Sequence, residues 1–261
     1  MGDFLLSIDG LRVSYPGKVG LFTHKRIPIL KGVSLGVKKG KTLGIVGESG
    51  SGKTTLGRSI VRLTTIDAGR IFFADRCISE LSDDTFLPYR QKIQMIFQDP
   101  FDSLNPKMTL EQILEEPLRI HFPKLTDFER RKRILRLLER VKMPRTCLSR
   151  YPNALSGGQR QRIGIARALA VEPEVLICDE PVSALDVSIQ ASIMNLFKDL
   201  QTELQLTYLF ISHDMAIVRY ISDEVAVIQG GKIVDCGPVE TIYKSPQQAY
   251  TKQLLASVPR L

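Results

Sequence analysis

Tryptophan is absent from this 261-residue chain, and histidine and cysteine are scarce, with three and four copies. The cysteines, Cys77, Cys147, Cys178 and Cys236, lie far apart, with no C-x-x-C pair and no histidine at ligand spacing. That pattern argues against a disulfide framework or a zinc site and fits a reducing compartment. Long apolar runs are missing too. No stretch approaches the ~18 consecutive apolar residues of a membrane span, so any membrane role is expected to be peripheral, through partners. The opening "MGDFLLSIDGLRVSY" carries an early acid, Asp3, and lacks the apolar core of a secretory signal. Met1-Gly2 begins like a myristoylation signal, but Leu6 stands where that signal needs serine or threonine. There is no internal repeat, no low-complexity tract and no linker long enough to divide the chain, which excludes the collagen-like and disordered classes.

What the chain does contain is enough apolar residue, 43%, beside 25% charged residue, to bury a sizeable core. One large domain, or a domain with a subdomain, is expected. The net charge of +8 is compatible with nucleic acid, anionic lipid or phosphorylated ligands, and equally with a mildly basic surface.

Patterning predicts an α/β protein. Alternation in "LLSIDGLRVSY" predicts a strand over 5–15, followed by a loop in "PGKVGLFTHKR", which opens with turn residues. Strands are predicted at "ILKGVSLGV", "KTLGIVG", "GRIFFADRCI", "KIQMIFQD", "EVLICDE" and "TYLFISHD", and a hairpin at "EVAVIQGGKIVDCG" around its Gly-Gly turn. Helical patterns occupy "GKTTLGRSIVRL", "TLEQILEEPLRI", "DFERRKRILRLLERVKM", the stretch from Ser156, "SIQASIMNLFKDLQTEL" and "AYTKQLLASV". The third of these places Ile134, Leu135, Leu138 and Val141 on an apolar face and its basic residues in solvent. Strands alternating with helices imply a parallel-sheet core, and the early strands without helices between them imply an antiparallel β portion. The expected division is a catalytic core over 1–98 and 171–240, an inserted α-helical subdomain over 99–170 and a short tail over 241–261.

One stretch states its chemistry directly. "GESGSGKT", Gly47 to Thr54, fits G-x-x-x-x-G-K-S/T at every fixed position, after an apolar strand and before a helix. Backbone N–H groups of such a loop point at phosphate oxygens, glycines allow the close approach, Lys53 adds charge and the Thr54 hydroxyl can hold Mg²⁺. An acid ending another apolar strand is the expected metal partner, and "VLICDE" supplies Asp179 for Mg²⁺ and Glu180 to polarise an attacking water. His213 in "FISHD" and Gln98 in "IFQDP" end further strands, where they can reach a γ-phosphate and the metal or water. A second helix start, "ALSGGQRQR", combines Ser156 with two glycines in a form suited to anions.

Taken together, "GESGSGKT", "IFQD", "LSGGQ", "VLICDE", "SALD" and "ISHD" stand in the order found in the nucleotide-binding subunits of ABC transporters, and the resemblance covers nearly the whole chain. "LSGGQ" is its most specific part, because general P-loop ATPases lack it. The resemblance implies a P-loop NTPase fold of the ABC ATPase type, which binds and hydrolyses ATP with Mg²⁺. It assigns the nucleotide to Gly47, Glu48, Ser49, Gly50, Ser51, Gly52, Lys53, Thr54 and Thr55, with Tyr15 stacking on adenine and Asp186 of "SALD" beside them. It implies that Ser156, Gly157, Gly158 and Gln159 face the phosphate loop of a second ATPase subunit, identical or related, so that two chains sandwich two nucleotides.

Narrower features, "QDPFDSLNPKMTL", "EPVSALDVSIQA" and "YKSPQQAYTKQLLASVP", resemble oligopeptide and dipeptide importer ATPases, a group that includes nickel-importer subunits. Gln248-Ala249 replaces the usual His-Pro before "YT", and the chain stops soon after Pro259 with no cysteine cluster and so no implied iron–sulfur site. The implied partners are two membrane permease subunits and, indirectly, a solute-binding protein, at the cytoplasmic face of the membrane. Nickel or another small solute is the alternative cargo. A soluble ABC ATPase acting on nucleic acid or ribosomes, which the positive charge would suit, usually carries two cassettes or a coiled-coil insertion; this chain has neither, and no nucleic-acid partner is expected.

Overall fold

The computed structural model describes residues 4–19, 23–98 and 104–256. The Met1-Gly2 start, part of the "QDPFDS" run with the expected start of the helical block at Asp99, and the tail around Pro259 lie outside them. The chain forms two compact units, Met1–Tyr89 with Thr207–Leu261, and Arg90–Leu206.

The first unit holds two sheets. One is antiparallel, in the order β2-β1-β4-β5, built from β1 (Phe4–Val19), β2 (Thr23–Lys38), β4 (Ala68–Phe73) and β5 (Arg76–Cys77). In the other, β3 (Thr42–Val46) pairs in parallel with β8 (Thr207–Ile211) on one side and β9 (Glu224–Gln229) on the other, and β10 (Lys232–Pro238) returns antiparallel to β9. All five residues of β3 and all five of β8 are buried, which is why these strands read as unbroken apolar runs instead of alternating ones. Helices α1 (Lys53–Ile60), α7 (Met215–Ile221), α8 (Val239–Lys244) and α9 (Ala249–Ala256) complete the unit, and α2 (Asp83–Lys92) leads out of it.

Three findings correct the sequence reading here. The expected loop over 16–26 is largely strand: Pro16 pairs with Arg26, Gly17 with Lys25 and Val19 with Thr23. Pairing of β1 with β4 ends at Arg12, so beyond it β1 has a registered partner on one side only, where proline is tolerated. Arg26 fastens this ribbon, donating to Ser14 O at 3.1 Å and pairing with Asp67 at 2.6 Å. "GRIFFADRCI" is two strands, turned at Ala74 and Asp75, both at positive φ (46° and 62°). Helices α2, α7 and α8 have no clear signal: α2 buries only Phe86 and contains Pro88, while α7 and α8 are too short to set up a periodicity.

The second unit contains the parallel pair β6 (Ile93–Ile96) and β7 (Val175–Asp179) with, among the described residues, four α-helices, α3 (Leu110–His121), α4 (Asp127–Arg140), α5 (Gly157–Leu169) and α6 (Val187–Leu204). Three of these start with a reciprocal capping box, Thr109 with Gln112, Thr126 with Glu129 and Ser156 with Gln159, so each start is fixed by its own side chains. The apolar face of α4 runs through Ile134, Leu137, Leu138 and Val141; Leu135, expected on it, is only half-buried at its flank. Its basic face is solvated as expected and carries ion pairs of Arg131 to Glu111, Arg133 to Glu172 and Arg140 to Glu203, each worth little at an exposed position.

The Gly230-Gly231 turn of the β9–β10 hairpin is where glycine is obligatory. Gly231 has φ +83°, and a Cβ there would lie 1.9 Å from the Ile29 carbonyl oxygen. Its N–H donates to Ser51 O at 3.1 Å and its C=O accepts from Lys31 N–H at 2.8 Å. Gly231→Ala is therefore expected to cost about 2–4 kcal/mol of unfolding free energy, read from urea denaturation of the purified chain.

Candidate functional site

The loop from Gly47 to Gly52 joins the buried end of β3 to α1, and its shape follows from its glycines. A Cβ on Gly47 would stand 2.2 Å from Ile228 O. Gly52, the residue before the helix, has φ +109°, and a Cβ there would meet Leu30 Cδ2 at 2.8 Å. Since Gly52 brings no side chain, α1 starts without a side-chain cap, and no acid sits in its first turn. No capping side chain therefore competes with an anion for this helix start, and the helix dipole is in the anion's favour. Ser51 adds a hydroxyl that is buried and has no hydrogen-bond partner among the described residues. A buried orphan donor beside uncapped amides is what phosphate oxygens satisfy. Thr54 is half-buried and Thr55 buried, while Glu48, Ser49 and Gly50 are exposed at the rim.

Lys53 is buried, and its ammonium folds back over the loop, donating to Gly47 O at 2.8 Å and Glu48 O at 2.9 Å. On the other side the Glu48 N–H donates to the Tyr250 hydroxyl of α9 at 3.0 Å. Nothing in the sequence singles out Tyr250; an aromatic in a tail helix is ordinary packing until the chain closes.

His213 is exposed just beyond β8. The turn that presents it is held by hydrogen bonds. Ser212 N–H donates to Ile45 O at 3.1 Å, Asp214 N–H donates to Ser212 Oγ at 3.0 Å, and Asp214 caps α7 through Ala216 N–H and Ile217 N–H. Tyr15, near the middle of β1, keeps 36% of its surface, and its hydroxyl lies 3.2 Å from Thr64 Oγ1.

In the second unit, Asp179 ends β7 almost fully buried, and Glu180 follows half-buried at φ +46°. A left-handed glutamate is strained, and backbone hydrogen bonds hold it: its C=O accepts from Ser183 N–H at 3.3 Å and Ser183 Oγ at 3.1 Å. Gln98, exposed after β6, donates its amide to Glu180 Oε2 at 3.3 Å, so two residues predicted separately stand together. Burial and the neighbouring Asp179 push the Cys178 thiol far up, which makes it an inert core residue.

Ser156 caps α5. Its Oγ accepts from Gln159 N–H at 3.4 Å while its own N–H donates to Gln159 Oε1 at 3.1 Å. The hydroxyl keeps its proton for donation. Gly157 and Gly158 lie where side chains would crowd, with a Gly158 Cβ 2.5 Å from Ile189 Cγ2. Buried Arg160 fastens the preceding segment through Pro152 O at 2.7 Å. Asp186 stands exposed before α6, and its side chain makes no capping bond.

Residues 30–183 match the family model described as ABC transporter. The chain is 49% identical over 260 residues to the oligopeptide transport ATP-binding protein AppF of Bacillus subtilis, covering 98% of this chain and 79% of that protein. It is 46% identical over 258 residues to the dipeptide transport ATP-binding protein DppF of Haemophilus influenzae, with the same coverage. Among solved structures it is similar to cbiO1 from Clostridium perfringens, part of the ABC transporter complex cbiONQ, with a TM-score of 0.80 and 29% identity over 93% of this chain and 92% of that one. It is also similar to a dimeric ATP-binding cassette, MJ0796, bound to ADP and Pi, with a TM-score of 0.79 and 31% identity over 90% of this chain and 98% of that one. With more than half of its residues inside the family model and almost half of them identical to such relatives, this chain belongs to the ABC transporter family.

Proposed function

We propose that the chain is the ATP-hydrolysing subunit of an ABC importer for dipeptides and oligopeptides. The observation that carries the reading is the phosphate loop, where an uncapped α1 start, a Ser51 hydroxyl without a partner among the described residues and the buried Lys53 stand together on one glycine-rich turn. The peptide cargo is supported by the relatives, named for oligopeptide and dipeptide transport.

In this reading Lys53 exchanges its two carbonyl partners for phosphate oxygens when ATP enters. Ser51, the loop amides and Thr55 line the phosphates, and Tyr15 stacks on adenine. Thr54, Asp179 and Gln98 would hold Mg²⁺: all three offer oxygen donors, which suits a hard cation that keeps several waters and takes few protein ligands. When bound, that ion neutralises charge on the β- and γ-phosphates. Glu180 orients the attacking water, held in its strained conformation and within reach of Gln98. His213 donates to the γ-phosphate. Catalysis of this kind is positioning and electrostatics, not covalent chemistry.

The second ATPase subunit, a copy or close relative, brings its Ser156-led helix to the γ-phosphate, with Gln159 beside it; Asp186 stands beside the phosphate-loop residues. The Ser156 hydroxyl proton and the amides of Gly157 and Gly158 are the donors. ATP then joins two subunits, and hydrolysis releases them, a switch driven by one phosphate. We assign residues 99–170 to the helical signature subdomain. The subunit works at the cytoplasmic face of the membrane with two permeases and a solute-binding protein; no helix among the described residues is long and apolar enough to cross a bilayer. Nickel or another small solute is the alternative cargo.

Glu180→Gln is expected to bind ATP as the parent does while hydrolysis falls by about 10²-fold or more, measured by phosphate release. Ser156→Asp places a like charge at the γ-phosphate; ATPase turnover falls by about 10²-fold, with nucleotide binding to the separate chain retained. Reconstituted with its permeases and binding protein, the complex shows ATPase stimulation by short peptides and not by Ni²⁺; the opposite preference overturns the cargo.

A further inference from the structure

The C-terminal helix α9 is not used by the mechanism above, yet it reaches the phosphate loop. Its contact falls on one peptide group, the bond between Gly47 and Glu48. The C=O of that group accepts from Lys53 Nζ at 2.8 Å, and its N–H donates to the Tyr250 hydroxyl at 3.0 Å. In a trans peptide the C=O and N–H point in opposite directions, so lysine and tyrosine hold the plane from both sides. A plane next to a glycine is the part of such a loop most able to rotate, because Gly47 lacks the side chain that would restrict it.

The two holds are unequal in time. In the reading above Lys53 turns from Gly47 O and Glu48 O to phosphate oxygens, which compete for the same three ammonium protons. The Gly47 carbonyl then loses its partner at the moment when loop geometry matters most. Tyr250 has no such competing duty. It is 9% exposed on a helix whose next residue, Thr251, is fully buried and donates from Oγ1 to Asp235 Oδ2 of β10 at 3.0 Å. The chain of contacts therefore runs from β10 through Thr251 and Tyr250 to the Glu48 amide.

We propose that Tyr250 is a positioning residue for the phosphate loop, with α9 as the strut that fixes the Gly47–Glu48 peptide when Lys53 turns to ATP. The proposal rests on the reading of that loop as the ATP phosphate site. It gives the tail helix a role in nucleotide affinity.

The test uses the full chain and its Tyr250→Phe variant, which keeps the ring and removes only the hydroxyl. Titration with a fluorescent ATP analogue and Mg²⁺ is expected to show a Kd raised about three- to tenfold, the loss of one neutral hydrogen bond. The KM for ATP rises in step, while kcat falls by less than the KM rises. Amide exchange at Glu48, followed by NMR, becomes faster in the variant, with amides of β3 unchanged. Thr251→Val, which frees the strut from Asp235, shifts Kd in the same direction. A Tyr250→Phe chain with the parental Kd and Glu48 exchange, or with a lower melting temperature as its sole change, overturns the strut. Parent and Lys53→Ala chains run beside it: a parent that binds no ATP removes the phosphate reading itself, whereas a parent that binds tightly beside an unaffected Tyr250→Phe removes only the role of α9.

Discussion

A helix start that no side chain caps is the constraint on which this protein is built. The first four N–H groups of any helix have no partner within the helix, and in α1 neither a capping side chain nor an acid in the first turn is set against them. Such a start favours a strong acceptor from outside. The rest of the first unit keeps that arrangement in place. β3 is clamped in parallel between β8 and β9 with all its residues buried, so the loop springs from a rigid base. The Ile228 carbonyl of β9 crowds the loop at Gly47, and Gly231 of the hairpin turn donates its N–H to Ser51 O, so β9 and its hairpin hold the loop in place.

The second anion-suited helix start solves the same problem differently. In α5 Ser156 and Gln159 satisfy each other's backbone donors, and the amides of Gly157 and Gly158 are left over. A start that is half self-capped can stand exposed without a ligand. In the proposed reading, that suits a surface that meets its nucleotide only when another subunit presents it. In α1, by contrast, no side chain caps the start and a buried lysine bonds the carbonyls of the preceding loop, so the two helix starts are physically unlike.

Charge is handled locally throughout. The basic face of α4, which contributes to the excess of +8, is spread over ion pairs with Glu111, Glu172 and Glu203. These pairs are exposed and weak, so they keep the helix soluble more than they hold the unit together. The acids given chemical roles in the proposed reading are set apart, Asp179 buried at a strand end and Glu180 in a strained backbone conformation with Gln98 against it.

The sequence by itself determined the phosphate loop, the acidic strand end, the Ser-Gly-Gly helix start and the buried parallel strands. Each is a local pattern whose physics is complete within about ten residues: a glycine spacing, an apolar run, a capping pair. It also marked Gln98, Glu180 and His213 one by one. Only the tertiary structure decided that Gln98 touches Glu180, that Pro16 and Gly17 lie in a strand and not a loop, and that Tyr250 reaches Glu48 from two hundred residues away. These depend on which distant backbone groups come opposite one another. A hydrogen bond between residues far apart in the chain leaves no periodicity, and a strand that pairs on one side accepts residues that elsewhere signal a turn.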